Sequence, residues 1–259
     1  MNADTVKMSR GAAGIDGFGH WNYMIETVYL EATPTGAGAR SVTNVTYYDG
    51  FWRQLQEVMV QASPDKTADI VVPHAYGVLG RVEREFLPYA RASKQGNLHR
   101  DALEVGNWNM YGSAEASYAY TLINYGGLDD RVKKRTGPGA AWHVAGKGMV
   151  TTYGSNEAGK VRHYRVSLDG TLAFAGTYPA GVLRLTTVTD EDGKSRETYI
   201  DGQNREILSV GTDGTTRQET YRVYDDRGLL RYVLSPEASA LPGTAIDETV
   251  LRRLAYRYD

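Results

Sequence analysis

A short phrase recurs along this chain: a tyrosine, an aspartate or glycine, a loose turn, then an arginine or leucine that opens an alternating stretch. It reads Tyr48-Asp49-Gly50-Phe51-Trp52-Arg53, Tyr76-Gly77-Val78-Leu79-Gly80-Arg81, Ile200-Asp201-Gly202-Gln203-Asn204-Arg205 and Tyr224-Asp225-Asp226-Arg227-Gly228-Leu229. Tyr125-Gly126-Gly127-Leu128-Asp129-Asp130-Arg131 is a copy with one extra residue, and Tyr258-Asp259 begins another, so the starts lie 28, 49, 75, 24 and 34 residues apart. The two long gaps are close to two and three units of roughly 25, within the range of repeat architectures. Weaker copies at Tyr153-Gly154-Ser155-Asn156, with the alternating Val161-Arg162-His163-Tyr164-Arg165-Val166, and at Ser167-Leu168-Asp169-Gly170 fill the largest gap.

One unit explains its own letters. From Tyr221 to Leu234 two stretches rich in Tyr, Val and Leu flank a polar break containing glycine, the pattern of a β-hairpin. Asp225 can hydrogen-bond its own backbone two residues on, and Gly228 can take a positive φ without steric cost. An arginine just past the turn can stack on a cross-strand tyrosine or pair with the turn aspartate. Tyrosine supplies 19 of the 27 aromatic residues, a bias suited to half-buried sheet surfaces where the ring packs and the hydroxyl stays wet. Asp192-Gly193, Asp201-Gly202 and Asp213-Gly214 are hairpin signals, so 186–198 and 207–221 each read as a hairpin. The expected fold is therefore all-β, an antiparallel array of hairpin repeats forming a curved sheet or partial shell.

Four regions follow. Residues 1–19 are glycine-rich and read as an irregular start; 20–259 read as one β domain. Within it, 93–117 lose alternation and form a long excursion with a short helix near 101–105. Ile246-Asp247-Glu248-Thr249-Val250-Leu251-Arg252-Arg253-Leu254 has apolar residues at helical spacing, acids before bases, and predicts the one short helix near the C-terminus. The phrase then restarts, so 255–259 read as a truncated repeat, expected to be poorly ordered or to borrow a partner's strand edge.

Several function classes lose their footing. With 29 basic and 31 acidic residues the net charge is -2, which gives no global field for nucleic acid or an anionic membrane, and no apolar run is long enough to span one. No cysteine means no disulfide and no thiolate metal site. His20, His74, His99, His143 and His163 never fall at metal-ligand spacing, and no Gly-x-Ser-x-Gly elbow is present. The cluster from Gly11 to Gly19 lacks the lysine of a phosphate loop, Asp190-Glu191-Asp192-Gly193 lacks most ligands of a calcium loop, and Asn44-Val45-Thr46 is a chance sequon in a strand. No catalytic, cofactor-binding or metal residue is therefore assigned, no cofactor is expected, and the chain reads as a non-enzyme.

The phrase Tyr-Asp-x-x-Gly-Arg resembles the signature of the YD-repeat, or Rhs-repeat, proteins of bacteria. Over roughly residues 20–259 the order of Tyr48-Asp49-Gly50-Phe51-Trp52-Arg53-Gln54-Leu55-Gln56, Leu87-Pro88-Tyr89, Gly137-Pro138-Gly139-Ala140-Ala141-Trp142, Tyr178-Pro179-Ala180-Gly181 and 224–233 resembles the N-terminal region of large Rhs-type proteins of Bacteroidetes-like bacteria. The chain departs from the motif where Trp52 and Asn204 replace glycine, Gly77 replaces aspartate, Ile200 tyrosine and Leu229 arginine. The resemblance implies a strip of hairpins spiralling into a hollow Rhs-type β-shell, a secreted or cell-surface location, and a larger parent polypeptide that encloses or presents a variable, toxin-like C-terminal domain. The leading expectation is a non-catalytic section of such a scaffold, with self-association through exposed strand edges. The alternative is a carbohydrate-binding surface module in which exposed tyrosines and Trp52, Trp108 or Trp142 offer platforms to sugar rings.

Overall fold

The computed structural model describes residues 5–10, 21–29, 41–93, 95–213 and 215–258. The chain divides into two compact units, Met1–Lys147 and Gly148–Asp259, where the sequence reading placed a single β domain over 20–259. Both are built from antiparallel strands.

The first unit contains β1 (Thr5–Arg10), β2 (Asn22–Tyr29), β3 (Ser41–Tyr48), β4 (Gln54–Met59), β5 (Asp69–Tyr76), β6 (Val82–Phe86), β7 (Tyr89–Arg91), β8 (Tyr120–Tyr125) and β9 (Val132–Thr136). Sheet order follows chain order through β6, continues to β8 and β9, and leaves β7 paired on β5. β1 corrects the expectation of an irregular start over 1–19: residues 5–10 pair in register with β2, from Thr5 opposite Thr27 to Arg10 opposite Asn22. The rest of that segment lies outside the described residues, as do the Gly11 to Gly19 cluster and His20.

The excursion between β7 and β8 carries 3₁₀ turns at Val105–Tyr111 and Ala116–Tyr118, C-terminal to the short helix expected near 101–105. It packs on the sheet. Trp108 is 2% exposed, donates its indole N–H to the Leu87 carbonyl at 2.8 Å, and lies against Phe86 and Tyr89. With Tyr23, Val45, Tyr47, Val58, Val71 and Tyr89 it forms the core of the unit. The buried Asp69 carboxylate accepts the Gln61 and Gly96 N–H groups, the Tyr47 hydroxyl donates to the Gly96 carbonyl, and the Gln56 amide exchanges two hydrogen bonds with the His99 backbone. These contacts satisfy polar groups that burial would otherwise penalise. A short helix, α1 (Ala140–Val144), follows β9.

The second unit contains β10 (Met149–Ser155), β11 (Arg162–Val166), β12 (Leu172–Thr177), β13 (Arg184–Thr189), β14 (Ser195–Ile200), β15 (Glu206–Asp213), β16 (Thr216–Tyr224), β17 (Leu230–Leu234) and β18 (Ala255–Arg257). The sheet runs β10-β13-β14-β15-β16-β17-β18, and β11 and β12 pair as a separate hairpin. That hairpin, with α2 (Pro236–Ala240) and α3 (Glu248–Leu254), contributes to one core with Leu183, Leu208, Val210, Tyr221, Tyr232 and Leu234. α3 starts where its sequence says: the Asp247 carboxylate caps it by accepting the Val250 N–H, and Arg252 and Arg253 close its last turn. α1 and α2 are helices that the sequence did not lead us to expect; each is five residues long, too short for a hydrophobic period to register. The expectation that 255–259 would be poorly ordered or borrow a partner's strand edge is corrected over 255–257, which pair within the chain, while Asp259 lies outside the described residues. β18 pairs with β17, placing Ala255 opposite Leu234 and Arg257 opposite Tyr232.

Candidate functional site

The recurring phrase folds into one recurring turn. In four copies the second residue, i, donates its backbone N–H to the carbonyl of residue i+4, and residue i+3 donates back to the carbonyl of i: Asp49 with Arg53 and Trp52, Gly77 with Arg81 and Gly80, Asp201 with Arg205 and Asn204, Asp225 with Leu229 and Gly228; in the copy with one extra residue Gly126 donates to the Arg131 carbonyl instead. The same closure forms at Asp190 with Lys194 and at Ser167 with Thr171. Residue i+3 always has positive φ: 61° at Trp52, 73° at Gly80, 64° at Asn204, 81° at Gly228. This is the three-residue hairpin loop in which a type I turn is followed by a left-handed residue, and pairing register shifts at Tyr48, Tyr76, Tyr125, Ile200 and Tyr224. Trp52 and Asn204 thus hold the glycine conformation without being glycine.

The aspartate locks the turn. Asp201 Oδ1 accepts the N–H groups of Gln203 and Arg205, both at 2.9 Å, while Oδ2 takes Arg205 Nε at 2.8 Å. Asp49 binds Phe51, Arg53 and the Arg53 side chain in the same way, and Asp225 binds Arg227 and Leu229. Partial burial pushes the Asp49 and Asp201 carboxyls up, but the backbone donors and the arginine outweigh it and hold both below the usual carboxylate range.

The arginine then reaches the next copy. Arg53 lies 4.6 Å over the Tyr76 ring, Arg81 4.5 Å over Tyr125, and Arg205 5.0 Å over Tyr224. Where Gly77 replaces the aspartate, the Glu83 carboxylate occupies the space a side chain at 77 would fill. Arg81, without a turn aspartate, reaches forward instead to the carbonyls of Gly127 and Asp129 and to Asp130.

One copy is expanded. Asn156 donates its N–H to the Leu183 carbonyl, and Leu183 donates back to Asn156 Oδ1 at 2.8 Å, repeating the bonds that i and i+4 make elsewhere. Between these partners the chain makes the whole β11–β12 hairpin.

Among the described residues no three His, Cys, Asp or Glu side chains are placed to hold a metal. His143 contacts the Tyr120 carbonyl and ring, and His163 stacks on Tyr178 at 4.4 Å, where burial and Arg165 hold its pKa down. A cleft of about 650 Å³ in the second unit is lined by Arg162, Arg165, Arg205, Arg222, Tyr178 and Asp225. Three of its arginines are engaged: Arg205 with Asp201, Arg222 with Glu206, Arg162 with the Leu241 carbonyl. The carbohydrate alternative loses Trp108, which faces the core; Trp52 and Trp142 remain, on separate elements. The Asp190 to Gly193 stretch is a hairpin turn whose carboxylate binds Asp192 and Lys194 amides. Asn44 sits in β3 opposite Glu26 and Met59.

The fold and its repeated turn define an antiparallel β-hairpin repeat protein. The chain belongs to a family named for a domain of unknown function, DUF6443, whose model matches residues 20–155. No curated protein matches it. Among solved structures it is similar to one described as the crystal structure of TcdB2-TccC3-TEV, at 12% identity and a TM-score of 0.49, over 90% of this chain and 11% of that one. The chain therefore spans about a ninth of that structure's length.

Proposed function

We propose that this chain is a non-catalytic section of wall in an Rhs-type hairpin-repeat shell, part of a longer secreted or cell-surface polypeptide that encloses or presents a variable, toxin-like domain. The observation that carries this reading is the relay of closing aspartate, arginine and next-copy tyrosine. Three hairpins are fastened to a following copy by the arginine of their own turn, in two of them held by the turn aspartate, which favours a strip extended by addition over a closed pocket. The YD phrases of the sequence support the same reading. Arg53, Arg81 and Arg205 are occupied in joining hairpins, which favours a scaffold over an enzyme.

The test is made on the parent polypeptide. Electron microscopy is expected to show a hollow particle with this segment in its wall, and its variable domain is expected to resist protease until the wall is opened. A solid particle, or a variable domain digested as fast attached as free, overturns the proposal.

A further inference from the structure

Three motif tips of the first unit form one rim. Arg53 reaches from the 48–53 tip over Tyr76 and against Gly80, and Arg81 reaches from the 76–81 tip to the carbonyls of Gly127 and Asp129, so each tip touches the next. Five residues projecting from this rim are apolar, beside the exposed Asp129 and Asp130 of the third tip. Phe51 is 83% exposed, Trp52 59%, Leu79 53% and Leu128 90%, and Val78 is fully exposed. Five exposed apolar side chains thus fall on three successive tips that touch one another through their arginines.

The turn itself does not ask for these residues. The 201–205 and 225–229 turns of the second unit close with the same hydrogen bonds and carry Gln203, Asn204, Asp226 and Arg227 in the loop, while the 167–171 turn exposes a single apolar residue, Leu168. Trp52 makes the contrast sharper, because a bulky residue at φ 61° is strained where Gly80, Gly193 and Gly228 are relaxed. Its ring meets only Tyr48, at 5.7 Å among the ring contacts of the described residues. Backbone strain that relieves nothing inside the fold is a mark of function.

We propose that this rim inserts its tip side chains into the interface of a phospholipid bilayer, docking the first unit edge-on to a membrane. The shape favours lipid over a protein partner. The side chains are separate knobs on convex turns, and a second copy of the same rim presents knobs rather than the holes that a self-complementary interface needs. A bilayer accepts protruding apolar groups without matching shape, and tryptophan with a neighbouring phenylalanine suits the boundary where one end is apolar and the other wet. Charge does not choose the surface, since Arg53 pairs with Asp49 and Arg81 with Asp130, which leaves the burial of apolar area as the driving term. The ligand class is therefore zwitterionic phospholipid, consistent with a chain of net charge -2.

The experiment is flotation of the whole chain with phosphatidylcholine vesicles, compared with the triple variant Phe51→Ser, Val78→Ser, Leu128→Ser and with Trp52→Gly. Wild type is expected to float, with its tryptophan emission moving to shorter wavelength. The triple variant is expected to partition at least tenfold more weakly with an unchanged circular dichroism spectrum. Trp52→Gly is expected to bind more weakly while melting no lower than wild type, because glycine relieves the left-handed position; this separates lost docking from lost folding. Failure of wild type to float, equal flotation of the triple variant, or dimerisation in sedimentation velocity that the triple variant abolishes would each overturn the proposal, the last in favour of a second copy of the chain.

Discussion

Replacing Asp201 by alanine tests the idea that the turn aspartate is what fastens one hairpin to the next. Its carboxylate accepts two backbone N–H groups at 2.9 Å and holds Arg205 through Nε at 2.8 Å and Nη2 at 2.7 Å. The two backbone bonds resemble an N-cap and contribute about 1 kcal/mol, because the freed amides at a surface turn recover water. The donation of Arg205 Nε and Nη2 to the single oxygen Oδ2 adds about 2 kcal/mol, since the two side chains are only 12% and 27% exposed and Arg205 would lose its anchor over Tyr224. Asp201→Ala is therefore expected to cost about 3 kcal/mol, or roughly 10 °C in melting temperature for a unit of this size. Asp190→Ala is the internal control. Its carboxylate makes the same two backbone bonds, to Asp192 and Lys194, with no arginine attached, so its cost is expected near 1 kcal/mol. All four tryptophans lie in the first unit, so this unit is followed by urea unfolding with far-ultraviolet circular dichroism and by hydrogen exchange of peptides covering 195–213. Equal costs for the two variants would show that the arginine adds nothing, and a cost below about 0.5 kcal/mol for Asp201→Ala would remove the closing role altogether.

Trp108→Ala empties the centre of the first core and is expected to cost about 3–5 kcal/mol; tryptophan-detected urea unfolding checks it, and a loss under about 1 kcal/mol would mean the excursion does not pack as described. Burial holds His74, His99 and His163 below the ordinary histidine range. The folded chain therefore binds fewer protons than the unfolded one below about pH 6.5. Stability is expected to be full above that pH and to fall between pH 7 and 5. It falls again below about pH 4, where the lowered Asp49 and Asp201 carboxyls must be protonated. A denaturation midpoint unchanged between pH 7 and 5 would contradict the first part, and His163→Gln is expected to flatten that slope.

The hairpins were legible because their signals are local. Asp-Gly pairs and alternating flanks identify the 186–198 hairpin from residues within a few positions of the turn, and the helical spacing and acid-before-base order of 246–254 place α3 in the same way. The role of arginine was legible as a type of contact, and the structure supplies its direction, forward to the next tyrosine. What resisted was long-range. Nothing near Trp108 says that an irregular segment folds over a sheet, since its partners Phe86 and Tyr89 lie about twenty residues away and its surroundings are polar. The same holds for the pairing of β18, which depends on α2 and α3 returning the chain to β17 across some twenty residues. The apolar tips were quoted letter by letter within the motif, yet their row along one rim exists only once the turns are side by side.

The Asn156 and Leu183 pair shows what the repeated closure permits. Two residues hold the mouth of a turn, and everything between them is free to vary, from three residues at Asp225 to the whole β11–β12 hairpin here. The mouth is thus a splice point, into which foreign sequence can be inserted without the flanking strands changing register. Growth at such points leaves the strip intact while altering what it displays, so members of this family are free to diverge most in length at their turns while their strand pairing stays the same.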